Sequence, residues 1–219
     1  MKTTAIIPVF NEERTIRNVL STLLSSDLLN QVIVVDDGST DKTPEIIRSF
    51  NQKKLRIISL KRNKGKSGAV KVAAKGLSTD ILFFCDGDLH NFKKKHIKQI
   101  LSPFRFEKKA MSVGIRDYGR VINFISKHGF PLISGERAVS YSIYQKVIDD
   151  PLMKGYGLEE VLNNYCKQNK IPIHKDVMKG VRQLNKPLKR KNGFYLLIRE
   201  SLELIQVMIK LRFRNIKNH

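Results

Sequence analysis

Asp86 and Asp88 stand one glycine apart at the end of the apolar run 81–85, Ile-Leu-Phe-Phe-Cys. A run this short, without alternation, reads as a strand buried on both faces. The two carboxylates therefore fall at the lip of a core. Two unit charges about 4 Å apart repel by roughly 4 kcal/mol at an effective dielectric of 20. A cation relieves that repulsion. Oxygen-only ligands suit Mg²⁺ or Mn²⁺, and such ions commonly reach a nucleotide's phosphates through one or two carboxylates. The simpler alternative is an exposed Asp-Gly-Asp turn, since both residue types favour turns.

Two further polar tips repeat the arrangement. Residues 4–9 read as a first strand, with Pro8 near its end because proline donates no ladder hydrogen bond, and Asn11-Glu12-Glu13 follow. The acidic pair is expected to open a helix to about residue 26, where carboxylates complement the helix dipole. Residues 31–35 form a second strand that ends in Asp36-Asp37-Gly38-Ser39-Thr40-Asp41. A helix to about residue 50, a strand at 55–60, the loop 61–68 and a small-residue helix at 69–77 lead to the strand carrying Asp86 and Asp88. Strands alternating with helices of this length specify an α/β fold with a mainly parallel sheet and right-handed crossovers. Open α/β sheets bind ligands beyond the carboxyl ends of their strands. Three polar tips on one edge therefore carry more weight than any one of them.

Two nucleotide signatures are absent. Gly65-Lys66-Ser67 resembles the end of a phosphate-binding loop, but Leu60 occupies the position where that loop needs glycine. The first strand leads into Pro8-Val9-Phe10-Asn11-Glu12-Glu13 rather than a dinucleotide-binding glycine pattern. Phosphate-loop ATP hydrolysis and NAD redox chemistry are both disfavoured.

The second half carries a strand at 110–115, then Arg116 to Arg120, a helix to about 128, and the stretch Ser134-Gly135-Glu136-Arg137-Ala138. A short helix at 141–147 precedes Gly155-Tyr156-Gly157-Leu158-Glu159-Glu160, which starts another helix with Leu158, Val161, Leu162 and Tyr165 inward. Glu159 or Glu160 at a helix start over a cleft suits a general base, and equally suits simple dipole complementarity. Residues 171–173 and 176–181 read as late strands.

Taken in order, Ile7-Pro8-Val9-Phe10-Asn11-Glu12-Glu13, Val34-Val35-Asp36-Asp37-Gly38-Ser39-Thr40-Asp41, Asn63-Lys64-Gly65-Lys66-Ser67-Gly68-Ala69 and Asp86-Gly87-Asp88 resemble the family 2 glycosyltransferases of the GT-A fold. Ser134-Gly135-Glu136-Arg137-Ala138 and Gly155-Tyr156-Gly157-Leu158-Glu159 resemble a compact prokaryotic branch related to glucosyl-phosphoglycerate synthases and dolichol-phosphate sugar synthases. The resemblance implies a nucleotide-diphosphate sugar donor held by Pro8, Val9, Asn11, Glu12, Asp36, Asp37, Lys66 and Asp86. It implies Mg²⁺ or Mn²⁺ on Asp86 and Asp88, with Gln183 where relatives often place histidine; His174 is a weaker candidate. Glu159 matches the acidic position that takes the acceptor's proton, with Glu160 as fallback. Arg116, Arg120, Ser134, Gly135 and Glu136 would line the side of a phosphate-bearing or lipid-linked acceptor.

The 219 residues suffice for one well-buried domain, expected over 1–187, followed by a basic extension at 188–219. Residues 193–214 mix apolar and basic side chains, as in an amphipathic helix packed on the domain or lying on an anionic membrane. The net charge of +21 calls for a polyanionic partner. No basic-aromatic recognition motif supports nucleic acid. Rival classes are a sugar-phosphate nucleotidyltransferase, which would want a glycine-rich loop after the first strand, and a nucleic-acid-binding protein. Cys85 and Cys166 match no disulfide or zinc spacing, and no window resembles a signal peptide or spanning helix. A cytoplasmic protein is expected, peripheral at the inner face of the cell membrane if the extension binds lipid.

Overall fold

In the computed structural model the described residues are 1–117, 119, 135–155, 157–183, 206, 207 and 209–211. Arg120, Ser134, the helix expected to about 128 and nearly all of the extension from 188 lie outside them. Seven strands form one sheet: β1 (Thr3–Val9), β2 (Gln31–Asp36), β3 (Leu55–Ser59), β4 (Ile81–Phe84), β6 (Met111–Arg116), β7 (Arg137–Ser140) and β8 (Ile173–Met178). Their order is β3-β2-β1-β4-β7-β6-β8. Only β7 runs antiparallel to its neighbours. A separate two-stranded ribbon joins β5 (Leu89–His90) to β9 (Arg182–Gln183).

The central strands β1, β2 and β4 are mostly apolar because both faces are covered. Ala5, Ile7, Val9, Val32, Val34, Ile81 and Phe83 face one core with helices α1 (Ile16–Leu24), α2 (Thr43–Arg48) and α4 (Lys94–Leu101). Ile6, Ile33, Val35, Leu82 and Phe84 face the other with α3 (Gly65–Ala74), α5 (Tyr141–Val147) and α6 (Gly157–Gln168). The period of two along each strand divides alternate residues between the two layers. The expected mixed, mainly parallel α/β architecture is thus present. Both cysteines are buried free thiols, one in each core.

Several element boundaries differ from expectation. The first helix does not open at Asn11-Glu12-Glu13; α1 starts at Ile16 and has no acidic residue in its first turn. Those residues are drawn instead to the neighbouring loop, as described below. Helix α3 begins four residues earlier than expected, at Gly65, so Lys66 lies in its first turn. The two expected late strands are one strand, β8, plus the two-residue β9. Sequence reading missed β5, β7, β9 and α4, the last of which starts in the lysine run 93–95. The side chains of that run are indeed exposed; the buried His96, Ile97, Ile100 and Leu101 mark the helix.

Candidate active site

The tips of β1 and β2 are stitched together. Asp37 N–H donates to the Val9 carbonyl at 2.8 Å. Asn11 sits at φ 56°, a left-handed conformation that asparagine tolerates better than most residues. Its N–H donates to Ser39 Oγ at 3.0 Å, and its Oδ1 accepts from Thr40 N–H at 2.8 Å. Glu12 N–H donates to Thr43 Oγ1 at 2.8 Å, and the Glu13 carboxylate accepts from Lys42 N–H at 3.1 Å. These bonds, rather than a helical first turn, satisfy the loop's polar groups.

The second tip is equally ordered. Asp36 Oδ1 accepts from Ser39 N–H at 3.0 Å, an Asx-type turn. Both Asp37 oxygens accept backbone N–H groups at the start of α3, Lys64 at 2.7 Å and Gly65 at 2.8 Å. Burial pushes the Asp37 carboxyl above its ordinary value, and the two backbone donors oppose that rise. Gly38 is required here: its φ is +78°, and a Cβ would lie 3.2 Å from the Arg62–Asn63 backbone. Asp37 thus joins the β2 tip to the loop that delivers Lys66.

At the β4 tip the charges converge. Lys66 Nζ lies 2.7 Å from Asp86 Oδ1 and 2.6 Å from Glu159 Oε1. Burial works against the lysine's charge, but the two carboxylates prevail and raise its pKa above the usual value. The other Asp86 oxygen meets Arg116 at 2.5 Å. Arg116, the last residue of β6, also donates to Glu136 through Nε at 3.0 Å and Nη2 at 3.1 Å. Its Nη1 donates to Gln183 Oε1 at 2.5 Å, and Gln183 Nε2 donates to Asp88 Oδ2 at 2.6 Å. Glu136 is fully buried; burial raises its pKa and Arg116 pulls it back down. One polar chain therefore runs Glu159–Lys66–Asp86–Arg116–Gln183–Asp88. Gly135 packs directly over it, and a Cβ there would fall 2.5 Å from Lys66 Nζ and collide with the Asp86 carboxylate.

Sequence reading thus nominated residues that the fold brings together: Lys66, Asp86, Asp88, Arg116, Gly135, Glu136, Glu159 and Gln183. Arg116 sits inside the cluster as a bridge between carboxylates. His174 is not brought there: it pairs with Glu107 at 3.0 Å and lies toward the other end of the β6–β8 ladder, opposite Ser112. Glu160 is buried on the far side of Glu159, receives a 3.4 Å bond from Asn163 Nδ2, and is raised by burial.

Arg137 was not nominated. It is fully buried on β7 and donates from Nη1 to the Glu159 carbonyl at 3.1 Å and to Asn163 Oδ1 at 3.2 Å. Burial depresses its basicity, and the charges of Glu159, Glu160 and Glu136 offset this. The only sequence signal was an arginine leading the short run Arg137-Ala138-Val139-Ser140. Arg137→Met should lower stability by about 3–5 kcal/mol, since it strands buried acceptors and carboxylates. For a chain of this size that is a fall of roughly 10 °C in melting temperature. A fall of under about 2 °C by scanning fluorimetry would show that Arg137 does not hold this region.

The donor set suits a hard cation. Asp86, Asp88 and Gln183 offer only oxygens and all connect through Arg116. Among the described residues no three His, Cys, Asp or Glu side chains make a closed metal site. A divalent ion here would fill its shell with phosphate and water oxygens, as Mg²⁺ prefers. Gln183 now turns its oxygen to Arg116 and its nitrogen to Asp88, so ligation requires the amide oxygen to reorient.

A family model described as "Glycosyl transferase family 2" matches residues 4–175. An uncharacterized protein of Methanocaldococcus jannaschii is 30% identical over 170 residues, covering 66% of this chain and 67% of that protein. A second uncharacterized protein of that organism is 33% identical over 124 residues, and this chain spans 53% of its length. The glycosyltransferase GlyA of Streptococcus pneumoniae is 34% identical over 89 residues, 40% of this chain and 13% of that protein. Among solved structures, glucosyl-3-phosphoglycerate synthase from Mycobacterium tuberculosis in complex with Mg²⁺ and uridine diphosphate superposes with a TM-score of 0.78 at 23% identity. That alignment covers 96% of this chain and 79% of the synthase. The same synthase with Mn²⁺, uridine diphosphate and phosphoglyceric acid gives a TM-score of 0.77, also at 23% identity, over 96% of this chain and 78% of that one. At this identity the likeness establishes the GT-A fold.

Proposed function

We propose, for a chain that belongs to glycosyl transferase family 2, the transfer of a sugar from a UDP- or GDP-sugar to a phosphate-bearing or lipid-linked acceptor. The observation that carries the reading is the polar chain from Glu159 to Asp88, gathered beyond the carboxyl ends of β4 and β6. Asp36, Asp37, Asn11 and Glu12 form the ordered rim on which base and ribose are held, with Pro8 and Val9 at its root. Asp86, Asp88 and Gln183 would hold Mg²⁺ or Mn²⁺ against the diphosphate. Bound there, the ion supplies Lewis-acid charge that stabilises the departing nucleoside diphosphate. That M. tuberculosis synthase structures contain these ions with uridine diphosphate supports the choice.

Glu159 is the group positioned to take a proton. Its Oε1 is held by Lys66, while Oε2 is buried with no hydrogen-bond partner among the described residues. The acceptor O–H gives its proton to Glu159 Oε2, and its oxygen forms the new bond to the anomeric carbon. The bond from that carbon to the diphosphate oxygen breaks, and its electron pair leaves with the nucleoside diphosphate. Lys66 links the carboxylate of the donor side to the carboxylate of the acceptor side, so donor charge and base geometry are set together. Glu136 orients Arg116, and Gly135 stands beside them on the side assigned to the acceptor; Arg120 and Ser134, which the resemblance assigns to the same side, lie outside the described residues. The segment 188–219 is assigned as a basic extension beside the 1–187 domain, placing the protein at the cytoplasmic face of a membrane when the extension binds lipid.

A thermal-shift panel of nucleotide sugars with Mn²⁺ or Mg²⁺ tests the reading. A donor at 100 times its dissociation constant adds about 2.7 kcal/mol, or roughly 5–10 °C for a chain this long. No metal-dependent shift with any UDP- or GDP-sugar would overturn it. A second test uses Gly135→Ala. The added methyl must displace the Asp86 carboxylate or Lys66 ammonium, and such misplacement should slow transfer by about 100-fold. A turnover within about threefold of the parent would show that the cluster tolerates displacement.

A further inference from the structure

The site uses few of the chain's cations. Helix α4 and the 3₁₀ turn that continues it, Ser102–Arg105, bury Ile97, Ile100, Leu101 and Phe104 against the sheet. Their outward side is Lys94, Lys95, Lys98, Ser102 and Arg105, all exposed. Spacings of four, four and three place Lys94, Lys98, Ser102 and Arg105 on one face. The stripe ends on Phe106, which is 89% exposed.

At the other end of α4 the β5–β9 ribbon sets His90 opposite Arg182, both exposed, and Asn91 Nδ2 donates to the Gly180 carbonyl at 3.3 Å. Lys93 and Lys179 are exposed on the two stretches so joined. Among the described residues, none of Lys93, Lys94, Lys95, Lys98, Arg105, Lys179 and Arg182 forms an ion pair. Two of the carboxylates near this surface have other partners. Glu107 pairs with His174, and Asp117 accepts the N–H groups of Gly119 and Gly180.

A single exposed phenylalanine is ordinary, and so is a run of solvated lysines. Their combination on one face, where none of the cations has an ion pair among the described residues, is not. Binding along single-stranded nucleic acid uses aromatics spaced among the cations, so that successive bases can stack; here the one aromatic closes one end. A bilayer interface accepts this pattern directly, since anionic headgroups attract the cations and a phenyl ring enters the headgroup–acyl boundary. We propose that the outward face of α4 and its 3₁₀ continuation, with the β5–β9 ribbon, docks on an anionic lipid bilayer with Phe106 as its apolar anchor. Gln183, paired with Leu89 on that ribbon, touches Asp88, so docking brings the reaction edge beside the membrane. The surface shares no residue with the extension at 188–219 and does not depend on the assigned reaction.

Flotation of the full chain with phosphatidylglycerol-rich vesicles, at about 0.1 M salt, tests this. The parent should partition onto these vesicles and not onto phosphatidylcholine alone. The triple variant Lys94→Glu, Lys98→Glu, Arg105→Glu should lose about 100-fold or more in partition, and Phe106→Ala about tenfold. Both should keep the parent's melting temperature and its metal-dependent shift with a nucleotide sugar, so docking and transfer fail separately. The proposal is overturned if the parent ignores phosphatidylglycerol, or if the triple variant binds it as well as the parent. It is also overturned if the triple variant loses a short single-stranded RNA while keeping the vesicles.

Discussion

Asp88→Asn will end metal-dependent donor binding and sugar transfer while leaving the fold in place. Asp88 is buried, and its Oδ2 accepts from Gln183 Nε2 at 2.6 Å. Asparagine keeps the shape and an acceptor oxygen for that bond, so the melting temperature should move by only a few degrees. What disappears is the charge. Asp86 already faces two cations, Lys66 and Arg116, and Asp88 adds the second carboxylate of the pair, held by the neutral amide of Gln183. Without it the ion loses its main electrostatic anchor, and the diphosphate loses the ion. Metal-ion and comparable electrostatic contributions are each worth several kcal/mol, so transfer should fall by at least about 1,000-fold. The Mn²⁺-dependent thermal shift with the best nucleotide sugar should vanish. Asp149→Asn, at an exposed carboxylate paired with Lys71 on the surface, should change neither quantity. A Mn²⁺-dependent shift of parental size in Asp88→Asn would place the ion elsewhere or remove it from the reaction.

The legible parts of this chain are those where one physical requirement dominates. Residues 32–35 and 81–85 are apolar because two helix layers cover them, and the carboxylates that follow mark the open edge. The start of α1 was misread because Glu12 and Glu13 suit a helix dipole locally, whereas in three dimensions they bind Thr43 and Lys42 at the start of α2. That competition between a local cap and a distant partner has no one-dimensional signature. Strand β7 was missed because four residues led by arginine look like a polar turn. The arginine is there because it serves α6, and α6 is more than twenty residues away in sequence. The same holds for Asp37, whose type suggested a ligand contact and whose two oxygens hold the start of α3. Residue types announced the chemistry; which side chains serve the ligand and which serve each other depended on contacts between distant elements.

The division between Glu159 and Glu160 is the sharpest such case, and it yields the second large effect. Adjacent glutamates in one helical turn point about 100° apart, so they cannot share a role. Glu159 reaches Lys66 at 2.6 Å, one step from Asp86, while Glu160 lies with Asn163 and Arg137 behind it. Glu159→Gln preserves an oxygen for Lys66 but removes the proton acceptor. Donor binding should stay within about twofold of the parent, and transfer should slow by at least about 100-fold. The rise of kcat/KM with pH that reports the ionising base should disappear with it. Glu160→Gln should leave that limb intact and cost less than about fivefold, because a neutral side chain at this buried position still accepts from Asn163. If the losses came out reversed, with Glu160→Gln abolishing the pH limb, the proton would pass to Glu160. The Lys66–Glu159 contact would then be a structural pair that only orders the start of α6. If both variants turned over normally, neither glutamate would be the base, and the acceptor's own phosphate would be the next proton acceptor to test.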